Sequence, residues 1–81
     1  MRDQELIGRY IENSPLGQAD ARLRESGIHV WAIIGQLRIH GGTVDEVTKD
    51  YCVPREAIEA AIAYYRRNKE YIDARLLLNS A

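Results

Sequence analysis

Arg55 and Glu59 stand four residues apart at the start of a long amphipathic segment, and they hold the clearest capacity for specific chemistry in the chain. Four residues is about one turn of helix, so both side chains leave the same face. A guanidinium placed there can donate to a guanine edge, and a carboxylate can accept from a cytosine amino group. Glu56 is the third exposed position of that first turn. The plainer reading is a solvated face closed by an Arg55–Glu59 helical pair, and the residues alone leave both readings open. At the far end of the segment Arg66, Arg67 and Lys69 form a basic cluster. It suits non-specific phosphate contact, or simply a helix end where cations complement the dipole.

Other chemistries find no constellation. His29 and His40 lie eleven residues apart, with no second cysteine or clustered carboxylate. A metal site needs three or four converging ligands, so these read as a strand-edge and a helix-end histidine. Cys52 is the single cysteine, which excludes an intrachain disulfide, and beside Val53 it reads as a small buried hydrophobe. No nucleophile–base pair is present, and Gly41-Gly42 reads as a helix stop rather than a phosphate loop. Tyr51, Tyr64, Tyr65 and Tyr71 could stack on bases, but their helical spacing suits a core or an interface as well. These observations point to a protein that is not an enzyme and uses no cofactor or metal.

The elements that must position Arg55 and Glu59 are two consecutive helices. Thr43 with Glu46 three residues later has the form of a capping box, so a helix is expected from Val44 to about Tyr51. Pro54 disfavours helix at Val53 and suits the first turn of a second helix over 55–67. Two helices joined by so short a break have helix-turn-helix spacing, in which the second can offer its first turn to a DNA groove. That second helix is expected to bury Ala57, Ile58, Ala61, Ile62 and Tyr65.

Upstream, Leu6, Ile7, Tyr10 and Ile11 make one apolar stripe, predicting a helix over 3–12 that Asn13-Ser14-Pro15 stops. Ala19, Ala21 and Leu23 alternate with charged residues, which is strand period. Gly27 allows a turn, and 28–30 could return as a second strand. A lone hairpin is marginal in water, so it needs cover from the chain's own helices or from a second subunit. Val30, Ile33, Ile34 and Leu37 predict a helix over 30–39. After a break at 68–70, a last helix is expected over 71–78.

At 81 residues, 46% apolar and 28% charged, the chain is one globular domain, 1–81. Residues 1–17 make an N-terminal helix and linker, 18–30 the hairpin, and 31–81 the helical core. No apolar run approaches the roughly 18 residues of a membrane span, and the N-terminus is not a signal peptide. The cytoplasm is the expected location. A net charge of −1 is low for a DNA reader.

Three stretches, SGIHVWAII at 26–34, GGTVDEVTKDY at 41–51 and EAAIAYYRRNKEYID at 59–73, resemble the small prokaryotic family called domain of unknown function 433. The likeness runs over 21–76. Members resemble VapB-type antitoxins, so it implies a mostly α fold: a small homeodomain-like helix-turn-helix domain with a short N-terminal β-hairpin. It further implies a partner toxin, a PIN-like ribonuclease that the chain would neutralise, together with binding of operator DNA. The expected DNA contacts are Arg55, Glu56, Glu59, Arg66 and Arg67. A homodimer would join through Ala21, Leu23, Ile28 and Val30. With the sequence ending at Ala81, the toxin would meet Tyr64, Leu76 and Leu77. A stand-alone transcription regulator and an interaction module that ignores DNA are the alternatives.

Overall fold

The computed structural model describes residues 2–39 and 41–79. The first helix, α1, spans Arg2–Tyr10, with Asp3 and Glu5 in its first turn and Arg9 in its last, each complementing the helix dipole. It stops two residues sooner than its apolar stripe suggests. Ile11–Glu12 form a short strand β1, which pairs antiparallel with β2, Arg22–Leu23, and sets Ile11 opposite Leu23.

This changes the partners within the hairpin. Residues 28–30 were expected to pair with the alternating segment. They do so through one isolated bridge, Arg22 to His29. The Leu23 N–H donates to the Ile28 carbonyl at 2.8 Å and the Val30 N–H to the Ala21 carbonyl at 3.0 Å. The longer ladder is with β1, and Gln18–Asp20 is a 3-10 turn rather than strand. Alternation told which side chains point inward, since Ala21 is 0% and Leu23 3% exposed. It could not tell which neighbour completes the ladder.

The helices α2 (Val30–Ile39), α3 (Val44–Tyr51) and α4 (Arg55–Arg67) have the bounds the sequence pattern predicts. Gly41 and Gly42, both at positive φ (67° and 86°), make the turn before α3, a conformation that costs glycine no steric penalty. Thr43 takes the N-cap with extended backbone angles but without a side-chain capping hydrogen bond, so that part of the expected capping box is absent. Cys52 closes α3 in the left-handed region, φ 54°. It is exposed, not buried as the sequence suggested, because the left-handed cap turns the chain outward between the two helices. Pro54 follows with φ −60°, the angle its ring favours. Asn68 interrupts the helix for one residue, its N–H donating to the Tyr64 and Tyr65 carbonyls, and α5 runs over Lys69–Asn79.

The central element is α4. Helices α1, α2, α3 and α5 and strand β1 all pack against it. Ala57, Ile58, Ala60, Ala61, Ala63 and Tyr64 are each at most 5% exposed. A single amphipathic face would bury Ile62 and Tyr65 instead, and these are only half-buried. The difference arises because neighbours enclose α4 on more than one side, and its alanines let them come close. Among the described residues, no helix is long and apolar enough to cross a membrane.

Candidate functional site

The α3–turn–α4 unit has helix-turn-helix connectivity, and its residues can be followed along α4. Arg55 is exposed, yet it is ion-paired with Asp45 of α3 and lies 3.5 Å from Glu59. Glu59 is held from the other side by Arg2 of α1 at 2.9 Å. Glu56 accepts a long hydrogen bond, 3.5 Å, from the Tyr10 hydroxyl. Both carboxylates proposed to read bases therefore face α1. One turn further on, Ala60 and Ala63 follow Glu56 and Glu59 by four residues each and are buried. Arg66 and Arg67 are exposed, and neither makes an ion pair among the described residues. They stand about 18 Å along the helix from Arg55, so the two ends of α4 could not read one base step together.

The proposed dimer residues lie elsewhere than expected. Ala21, Leu23 and Val30 are at most 3% exposed within one chain, and Ile28 is half-buried. Leu23 and Ile28 find their cover in the chain's own helices, so the need that pointed to a second subunit is met internally. Tyr64, assigned to a toxin surface, is also inside. It is 5% exposed, its hydroxyl donates to the Gln18 carbonyl at 3.2 Å, and burial pushes its pKa up. Leu76 is half-buried, whereas Leu77 is 75% exposed.

Two polar assemblies escaped sequence reasoning, and both anchor α5. Arg75 grips Asp20 through two hydrogen bonds, 2.6 and 3.0 Å, and this pairing lowers the Asp20 pKa. Asp73 accepts from Tyr65 at 2.7 Å, Arg38 at 2.9 Å and Lys69 at 3.1 Å. The Tyr65 hydroxyl, then Lys69 and Arg38, hold its carboxyl down to about 2. Arg38 also donates to the Tyr65 oxygen at 3.0 Å. Lys69, expected in a basic cluster with Arg66 and Arg67, thus serves this assembly instead. The signals in the sequence were the i,i+4 pair Lys69–Asp73 and the isolated cation at Arg38. Neither says that α2, α4 and α5 meet there.

A shallow groove runs between α2 and α5, lined by Trp31, Gly35, Ile39, Tyr51 and Leu76 among others. The Trp31 indole N–H is buried without a hydrogen-bond partner among the described residues, and its ring lies 5.9 Å from that of His29. His40 lies outside the described residues. No group of three or more metal-ligating side chains occurs among the described residues.

Comparison with curated proteins found no match, and comparison with solved structures found none either. A family model does match, over residues 18–65, from the 3-10 turn through most of α4. That is more than half of the sequence, and the chain accordingly belongs to the family described as protein of unknown function, DUF433.

Proposed function

We propose that the chain is a binding protein whose main ligand is another protein, and that it serves in the cytoplasm as the antitoxin of a PIN-like ribonuclease toxin. The observation that carries this reading is the outer face of α5. Ile72 and Leu76 on the inner side pack into the core. Tyr71, Ala74, Leu77 and Leu78 are all exposed, at i, i+3, i+6 and i+7. Tyr71 is 49%, Leu77 75% and Leu78 74% exposed. A surface helix ordinarily carries polar residues on that side, and an apolar stripe at this spacing is what a partner's groove receives. The ribonuclease identity of the partner comes from the family resemblance. Of the expected toxin contacts Leu77 keeps its role, Tyr71 and Leu78 join it, Leu76 supports it from beneath, and the buried Tyr64 is no longer among them.

The test is co-expression with the product of the adjacent reading frame. The unmutated chain is expected to retain that product through purification, and Leu77→Lys with Leu78→Lys is expected to lose it while the circular dichroism stays unchanged. Failure of the unmutated chain to retain the neighbour, or equal retention by the double variant, overturns the reading.

Operator DNA is a second ligand in this proposal. The α3–turn–α4 arrangement and the unpaired Arg66 and Arg67 favour it. With a net charge of −1, few phosphates would be neutralised, so affinity is expected to fall only gently with salt.

A further inference from the structure

The strip of α4 that would enter a DNA groove is the strip that α1 occupies, and three features show α1 to be lightly seated there. First, Leu6, 8% exposed, is the one buried residue of the helix, and Ile7 and Tyr10 are only partly buried against the core. The helix's polar contacts to α4 are an ion pair whose Arg2 side chain is 73% exposed, and a hydrogen bond of 3.5 Å from Tyr10. Exposed pairs of this kind contribute little. Second, Gly8 sits inside α1, where a Cβ would meet nothing within 4 Å. Packing therefore does not require glycine at this position, and glycine weakens a helix. A helix of nine residues is also too short to persist alone, so α1 is helical only while docked. Third, a cleft of about 300 Å³ remains open along the seam, lined by Arg2, Leu6, Val44, Glu59, Ile62 and Arg66 among others.

We propose that α1 is a releasable cover over the outer face of α4, and that double-stranded DNA binds this face only when α1 has left it. The proposal rests on the DNA reading given above. Release frees Glu59 from Arg2 and Glu56 from Tyr10. The bared face then presents Arg55, Arg66 and Arg67 against Glu56 and Glu59, with Ala60 and Ala63 between them small enough to admit base edges. The pairing of β1 with β2, and the Arg24 N–H donating to the Tyr10 carbonyl at 2.9 Å, tether the segment at its C-terminal end. The Arg24 side chain also reaches the Gly8 carbonyl at 3.2 Å, an exposed contact that release must break, so the cover swings about residues 10–11 and stays attached to the domain. Apparent affinity scales with the open fraction, so a substitution in α1 alters DNA binding without touching a DNA contact.

The experiment uses the full chain, a short duplex from immediately upstream of its own coding sequence, and fluorescence anisotropy at low salt. Amide hydrogen exchange reports the state of α1. Leu6→Glu is expected to give fast exchange across Arg2–Tyr10 with α2 to α5 still protected, and to tighten DNA binding about tenfold or more. Arg2→Glu should move both readouts the same way by less. Gly8→Ala closes the cover and should weaken binding about two- to fivefold. Arg66→Ala with Arg67→Ala should erase the gain of Leu6→Glu. An open α1 with no gain in affinity overturns the proposal. So does a gain that survives loss of both arginines, or exchange in which α1 and α4 open together. If the unmutated chain already binds as tightly as Leu6→Glu, the cover is overturned while the DNA reading stands. If no variant with an open α1 binds any duplex, both are overturned.

Discussion

Helices α1 and α5 flank the same central helix, and both lie outside the stretch that matches the family, yet different physics attaches them. Helix α5 is held at several points. Ile72 is 0% exposed, Arg75 grips Asp20, and Asp73 gathers donors from α2, α4 and its own helix. Leu76 packs so near Gly35 that a side chain added there would meet it at 3.4 Å. Helix α1 has one buried leucine, two partly buried neighbours in Ile7 and Tyr10, exposed polar contacts at Arg2, Gly8 and Tyr10, and an open seam. The outer faces are reversed in character. That of α1 is charged and polar, at Gln4, Glu5 and Arg9, whereas that of α5 is apolar. A helix fixed by converging polar contacts can hold an apolar surface steadily toward a partner. A helix fixed by one buried leucine and partly buried neighbours has less to lose on leaving.

The largest expected effect tests the anchors directly. Ile72→Ala should destabilise the protein by about 2–5 kcal/mol, because a fully buried isoleucine leaves a cavity. Leu6→Ala is a comparable deletion in chemical terms and should cost clearly less, about 2 kcal/mol or below. Equal costs in urea unfolding would erase the contrast between the two helices.

The same logic applies within α4. Ile58, at 0% exposure, should cost about 2–5 kcal/mol as Ile58→Ala. The half-buried Ile62 should cost roughly 1–2 kcal/mol as Ile62→Ala, since less surface is lost from the core. The reverse order would mean that α1 and α3 close over Ile62 more tightly than the seam indicates.

Acid should loosen the anchoring of α5. The Asp73 carboxyl is held down to about 2 against an ordinary 3.8. The folded form therefore binds fewer protons than the unfolded form between those values. The stabilisation is complete above about pH 4 and is lost as pH falls toward 2. Asp20, lowered by Arg75, acts in the same direction. Urea midpoints across this window should fall with pH, Asp73→Asn should make the fall shallower, and adding Asp20→Asn should flatten it further. An unchanged slope in Asp73→Asn would mean that the three-donor assembly does not exist in solution.

The smallest effect concerns neither flank and sets a baseline. Thr43 holds the N-cap of α3 without a side-chain capping hydrogen bond. Thr43→Ala should therefore cost about 0.5 kcal/mol or less, the low end for a cap. A loss as large as that from Leu6→Ala would show Thr43 to be a working cap in solution.

Much of this protein could be read from residue order. Helices α2, α3 and α4 follow from apolar spacing, from Gly41-Gly42 and from Pro54, all of which act within a turn or two of chain. The Arg55–Glu59 pair was equally visible as recognition chemistry or as an ion pair. What decided its present state was Asp45, 10 positions from Arg55, and Arg2, 57 positions from Glu59, which only folding brings near. Cys52 was misplaced because a left-handed cap reverses the side that a neighbouring valine suggests.

Periodicity reports that a segment has an inner face, but not how many neighbours will surround it or from which sides. For α4 that number exceeds one, so Ala60, Ala63 and Tyr64 are inside and the second helix of the pair is also the centre of the core. For β2 the partner came from residues 11–12, because the docking of α1 brings Ile11 to Leu23. Local sequence determines which elements form, since backbone hydrogen bonds and turn chemistry are settled within a few residues. Which faces remain open for a ligand depends on contacts between segments far apart in the chain, and only the tertiary structure decides those.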